Sequence, residues 1–399
     1  METDAMPREA RMKIRVIVIV IYLGLILAGL VGLRMLGWDG FWKALSIPTL
    51  SPNFADMRVI QSGLFSSENG YDPLVINPSD PWGRTLNYPR VWLTIAGALG
   101  MENESVFLAC NLTVISLFYA LCGYLAWRFS SPLTAFLVFT PVILLAVERG
   151  NIDMAIMVLV ALSALLSGFS ALIAIAVAMH LKLYPILLLP IAIARHGWKF
   201  GLLTIMAAGS ALLMNYSDLK AILSGNSAAG DMSYGILLSS ELMQSHLGPG
   251  AARLDAIVYP LVLLAGLLFY SKSGLHEQLS KVRQSCPAAA SLYYFGASIH
   301  VFTGLLATNW DYRLMYFILM MPMVTCLKSK ALRSVHAAAI FLSTMYMWLS
   351  WWPYSWIVTG YSKLFVFSIT AATLFHVLVN FYGPYFKVLN FKYKKLIHG

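Results

Sequence analysis

Residues 106–127 and 154–181 of this chain contain no Asp, Glu, Lys or Arg, and residues 14–33 contain only Arg15. A helical bilayer crossing takes about 20 mostly apolar residues. Inside lipid the backbone must satisfy its own hydrogen bonds, which leaves helices or closed barrels. Uninterrupted runs of this length select helices. The expected fold class is therefore all-α, a polytopic membrane protein. Composition agrees: the chain is 59% hydrophobic and 12% charged, with a mean hydropathy of +0.71. A soluble domain is about a quarter charged, so this chain has too few charges to coat a large core in water.

Apolar runs over 14–36, 106–127, 132–147, 154–168, 169–181, 184–194, 200–214, 254–270, 288–307, 312–327, 335–352 and 363–382 predict a bundle of about 12 transmembrane helices. They form one domain over 14–382, between a cytoplasmic N-terminus over 1–13 and a basic cytoplasmic tail over 383–399. The first run is too long for a signal-peptide core and no A-x-A site follows it, so it reads as a retained anchor. Basic groups at Arg8–Arg15, Arg195–Lys199, 272–283, 328–333 and 387–395 alternate to one side of such a bundle. Cytoplasmic loops carry this excess, so both termini face the cytoplasm. The net charge of +10 is then a matter of orientation in the inner (cytoplasmic) membrane. It points to membrane lipids as partners and not to nucleic acid.

Two outer loops stand out. The first, 37–105, holds Asp39, Asp56, Glu68, Asp72, Asp80, Glu102 and Glu104 with turn signals at Asn69-Gly70 and Asp72-Pro73. Within it, 54–65 and 91–99 read as short interfacial helices. The second, 215–253, is rich in Gly and Ser and carries Asp218, Asp231, Glu241 and His246. No internal repeat is visible. Cys110, Cys122, Cys286 and Cys326 are scattered and read as small apolar fillers. Asn111 heads an N-x-T sequence inside a span, which excludes glycosylation there.

Charges at membrane depth are expensive and default to functional readings. Here Asp56, Arg58, Arg84, Arg90, the run Glu148-Arg149-Gly150-Asn151-Ile152-Asp153, Lys182 and Asp311-Tyr312-Arg313 come from five segments that the expected topology brings to one depth, near the outer surface. Carboxylate, cation and aromatic are the available chemistry. A carboxylate can take a proton from an attacking alcohol. Lys182, Arg313 and Arg149 can hold a phosphate. Tyr71, Trp82, Tyr88, Trp92 and Trp310 can stack on a sugar or mark the interface. Each has a plainer reading too. Asp56 can cap a helix, Asp72 can close a turn, Lys182 can snorkel, Asp311 and Arg313 can pair with each other, and Glu148, Arg149 and Asp153 can form a structural network.

Asn53-Phe54-Ala55-Asp56, Gly63, Asn69-Gly70-Tyr71-Asp72-Pro73 and Asn87-Tyr88-Pro89 resemble the first outer loop of the GT-C superfamily. The closest pattern is that of the family 87 polyprenyl-phosphate-dependent mannosyltransferases. The 148–153 run, Lys182-Leu183-Tyr184-Pro185 followed by Arg195 and Trp198, and 309–313 resemble later motifs of that family in the same order. The resemblance implies transfer of a sugar, a hexose such as mannose, from a polyprenyl-phosphate sugar donor to a glycolipid or glycan acceptor on the outer face. It implies inversion at the anomeric carbon, with Asp56 as general base. Asp72, Tyr71, Asn87, Tyr88, Glu148, Asn151, Asp153, Asp311 and His246 are the expected substrate contacts. The chain departs from the family in having Arg90 after Tyr88-Pro89 and Asn151 after Gly150. It has no DxD-like acid pair, so no metal and no other cofactor is expected. No soluble C-terminal domain follows the last run, so loops alone would grip the acceptor. A transporter or flippase of a lipid-linked sugar would use the same cations and stays open as the alternative. A membrane acyltransferase would want an intramembrane His/Asp or His/Asn pair and fits poorly.

Overall fold

In the computed structural model, which describes residues 8–219, 232–235, 246, 248, 252–306 and 309–398 (side chains of 8, 252–255 and 383–398 excepted), the regular elements are helices apart from one short ladder. The first helix runs Arg8–Ala44 with a break in backbone geometry at Gly37, φ +66°. It therefore extends past the 14–36 run at both ends. Arg15, the one charge in the 14–33 run, donates to the Arg128 carbonyl at 3.2 Å and to Ser130 Oγ at 3.3 Å. Glu104–Arg128 begins at Asn103, whose side chain accepts from Ser105 N and Val106 N, a cap worth about 1 kcal/mol.

Among the described residues, four helices are long and apolar enough to cross a membrane: Glu9–Ala44, Glu104–Arg128, Pro287–Leu306 and Ser355–Tyr382. A fifth arises if Ala256–Lys272 and Leu275–Ser285, bent by 59°, count as one span. These make the chain a membrane protein and account for four or five of the twelve crossings that the apolar runs suggest. The other runs are built from shorter pieces. Residues 132–147 become Pro132–Leu137 and Pro141–Arg149, because Pro141 starts a new helix at its first position. Residues 184–194 become a 3-10 turn over Tyr184–Leu188 and the helix Leu189–His196. Residues 312–327 become a 3-10 turn over Asp311–Tyr316 and the helix Phe317–Thr325. The basic stretch over 272–283 is not a loop. It is the helix Leu275–Ser285, which buries Leu275, Leu279 and Val282 along one face.

Pro287–Leu306 is the central helix, with 83% of its apolar window buried against 11% for Glu9–Ala44. Gly296 lets it lie against the next segment: a Cβ there would stand 2.6 Å from the Tyr316 carbonyl oxygen and 3.1 Å from Leu319 Cβ. Close approach at small residues is how helices associate in lipid, where the hydrophobic effect gives no help. The one ladder pairs Ser233 with Trp310 and Tyr234 with Asn309, antiparallel. Most of the second outer loop, including Asp231 and Glu241, lies outside the described residues, as do residues 1–7 and the side chains of the basic tail over 383–398.

Candidate functional site

Asp56 stands in the first turn of the Ala55–Glu68 helix. The residue before that helix, Phe54, is left-handed at φ 60°, ψ 48°, a conformation that costs an L residue about 1–2 kcal/mol. Its ring is held edge-on by Trp38 at 4.8 Å. Asp56 thus enters the site from a turn fixed by packing.

A continuous chain of hydrogen bonds leads inward from this carboxylate. Asn151 Nδ2 donates to Asp56 Oδ2 at 2.6 Å, and Asn151 Oδ1 accepts from the Asp153 backbone N–H at 2.8 Å. Asp153 Oδ1 then accepts from Lys182 Nζ at 2.7 Å and from Tyr184 OH at 2.9 Å. Its other oxygen faces Arg313 Nε at 3.4 Å. Tyr184 OH also meets Tyr316 OH at 2.6 Å. Arg84 reaches Asp56 at 3.5 Å while donating to Asp80 at 3.0 Å and to the Ala55 carbonyl at 2.6 Å. Lys182 lies 4.9 Å from the centre of the Tyr88 ring, and Arg313 lies 5.1 Å from that of Tyr184. Trp92 donates from its indole to the Leu181 carbonyl at 2.8 Å, which pins the first outer loop beside Lys182.

The chain runs from a partly open end to a closed one. The Asp56 side chain is 18% exposed, whereas that of Asp153 is fully buried. Burial raises the Asp56 carboxyl above its ordinary value, against the hydrogen bond from Asn151 and the charges of Arg84, Arg149 and Lys182. A carboxylate with raised proton affinity is a stronger base than a free aspartate.

Against models of known protein families, against curated proteins and against solved structures, the chain finds no match. Roles at this site rest on its own geometry.

Of the residues singled out in the sequence, Asp56, Asn151, Asp153, Lys182, Arg313 and Tyr88 come together. Arg149 and Glu148 pair with each other at 2.7 Å, and the buried Glu148 also accepts from the Leu50 N–H at 3.1 Å. Asp72 belongs to a second group. It accepts from Arg90 at 2.8 Å on both oxygens and from the Leu74 N–H, closing the Asp-Pro turn. Arg90 also binds Asp218, so it joins the 37–105 and 215–253 stretches. Tyr71 beside it is exposed, and Asn87 is half-buried next to the buried Tyr88. His246 stacks on Trp356 at 4.7 Å.

One of the plainer readings is not met. Asp311 does not hold Arg313, two residues on; it takes Lys363 Nζ at 2.7 Å, and Arg313 turns to Asp153 and Asn309. Positions two apart do not face each other on a helical turn. Lys363 escaped the reading of the sequence. Its signal is that no other Asp, Glu, Lys or Arg occurs in Ser355–Tyr382. Among the described residues, no group of three His, Cys, Asp or Glu side chains is placed to hold a metal ion.

Gly150 sets the angle of the hairpin that delivers Asn151. It closes the Pro141–Arg149 helix at φ +60°, and a Cβ there would clash with Asn111 Oδ1 and stand 2.9 Å from Phe54 Cβ. Gly150→Ala is expected to lower stability by about 2–4 kcal/mol, combining left-handed strain with overpacking. Denaturant titration in detergent measures it. An unchanged midpoint would mean that the hairpin can open without cost.

Proposed function

We propose that the chain is a GT-C-like glycosyltransferase that moves a hexose, mannose by resemblance, from a polyprenyl-phosphate donor to a glycolipid or glycan acceptor. The reading includes twelve crossings, cytoplasmic termini and a charged cluster on the outer side of the inner membrane. The observation that carries it is the bonded chain from Asp56 through Asn151 to Asp153, Lys182 and Arg313. One end offers a partly exposed carboxylate of raised proton affinity, the other two cations from separate segments.

The chemistry follows from that polarity. The acceptor hydroxyl oxygen bonds to the anomeric carbon as the bond from that carbon to the phosphate oxygen breaks. The proton of the hydroxyl passes to Asp56, and the electron pair leaves on polyprenyl phosphate. Attack opposite the leaving group inverts the anomeric centre. Lys182 has three N–H donors and Arg313 five, more than their bonds to Asp153 and Asn309 use, so both have donors to offer the departing phosphate. Fixed donors in a water-poor site stabilise developing charge most.

Formal charge in the cluster balances. Asp56, Asp80, Glu148 and Asp153 stand against Arg84, Arg149, Lys182 and Arg313. A proton on Asp56 tips the cluster positive, which favours an incoming phosphate but blocks the base.

The test is sugar transfer from radiolabelled polyprenyl-phosphate mannose into the lipid and glycan fractions of membranes carrying the chain. Because the folded Asp56 binds its proton more tightly than a free aspartate, kcat is expected to fall on acidification at a pH above about 3.9, the ordinary aspartate value. KM for the donor is expected to fall over the same window. The same shift means that ionising Asp56 opposes folding as pH rises through its unfolded value. Movement of the lipid-linked sugar across the bilayer without transfer would replace this reading with a flippase.

A further inference from the structure

Lys363 is the sole Asp, Glu, Lys or Arg in the apolar helix Ser355–Tyr382, and it is buried. A buried ammonium persists in such a helix when it is paired and hydrogen-bonded. Its partners are specific. Nζ donates to Asp311 Oδ2 at 2.7 Å and to the Ser233 carbonyl at 2.9 Å. Asp311 opens the 3-10 turn that carries Arg313, and Ser233 pairs through its backbone with Trp310, the residue just before that turn. One ammonium thus grips one strand of the ladder and the residue that follows the other.

The turn is held at two further points. Asn309 Nδ2 donates to the Thr303 carbonyl at 2.8 Å, anchoring the turn to the end of the central helix, and Asn309 Oδ1 accepts from Arg313. Arg313 itself reaches Asp153. Of these anchors, Lys363 comes from the last apolar helix, and it bonds directly to the Ser233 carbonyl within the 215–253 stretch.

We propose that Lys363 is a positioning residue: through Asp311 it fixes the turn that aims Arg313 at Asp153, and through Ser233 it docks the second outer loop onto that turn. This rests on the reading of Arg313 as a phosphate ligand. It gives the last helix a role in the site without contact to substrate.

Lys363→Met alone leaves the Asp311 carboxylate buried without its cation and is expected to lower the thermal midpoint, which would confound the readouts. The informative variant is Lys363→Met with Asp311→Leu, which replaces the pair by apolar groups and is often tolerated. In that variant the thermal midpoint is expected to hold. Amide exchange over residues 309–316 is expected to accelerate about tenfold, with distant helices unchanged. Affinity for farnesyl phosphate, the probe used, is expected to weaken about tenfold or more. Lys363→Arg, which keeps the cation, is expected to preserve both readouts. Lys363→Gln, which keeps a donor to Asp311, carries the same two changes at smaller amplitude. Unaltered exchange over 309–316 overturns the proposal, as does a double variant that binds farnesyl phosphate like wild type while Lys182→Met does not. If wild type fails to bind farnesyl phosphate, the phosphate reading of the site falls, and the exchange measurement still decides whether Lys363 holds the turn.

Discussion

Asp56→Asn is expected to reduce sugar transfer by a factor of about 10²–10⁴, the usual contribution of a positioned base, without loss of folded protein. The substitution is isosteric, and its side-chain carbonyl oxygen can still accept the 2.6 Å bond from Asn151. Arg84 keeps Asp80 and the Ala55 carbonyl. Burial disfavours the ionised form of Asp56, so neutralising it is expected to leave the thermal midpoint level or higher. The pairing of lost transfer with retained stability is the signature of a group kept for chemistry. Asp72→Asn is the internal control, because its carboxylate closes a turn and pairs with Arg90 at an exposed position. Transfer by Asp56→Asn within tenfold of wild type would remove Asp56 as the base.

Much of this site was legible because charge is expensive in an apolar chain. Asp56, Asn151, Asp153, Lys182 and Arg313 lie in four separate stretches of sequence, and composition alone marks them as misplaced unless they meet. Their partners were not legible. Asp153 and Arg313 are 160 positions apart, and no local rule prefers that pair to the neighbouring Asp311. The tight 3-10 turn decides it by pointing the two side chains in different directions. Lys363 was hidden for a different reason: it looked like the polar start of the last apolar run, whereas the helix begins at Ser355. The break before Pro141 was read through, within the 132–147 run, because hydropathy is blind to a missing N–H donor. Leu275–Ser285 read as a basic loop because its three buried residues are outnumbered by polar ones.

The largest effect on stability is expected at Asp153. Its carboxylate is fully buried and answers two cations, Lys182 at 2.7 Å and Arg313 at 3.4 Å. Asp153→Asn keeps the shape and removes the charge, leaving two buried cations with no carboxylate between them. Breaking a buried pair from one side costs about 3–5 kcal/mol, a large part of the 5–15 kcal/mol that typically holds a domain. Lys182→Met is expected to cost less, since Arg313 still answers Asp153. The ranking is read from denaturant midpoints in detergent, and equal midpoints for Asp153→Asn and wild type would show that Asp153 is not the hub of the cluster. The same variant tests the functional reading from the other side. If Lys182 and Arg313 are the donor-phosphate ligands, removing their resident carboxylate frees them for an exogenous anion. Farnesyl phosphate is then expected to raise the midpoint of Asp153→Asn more than that of wild type, since a ligand stabilises the state it binds in proportion to its occupancy there.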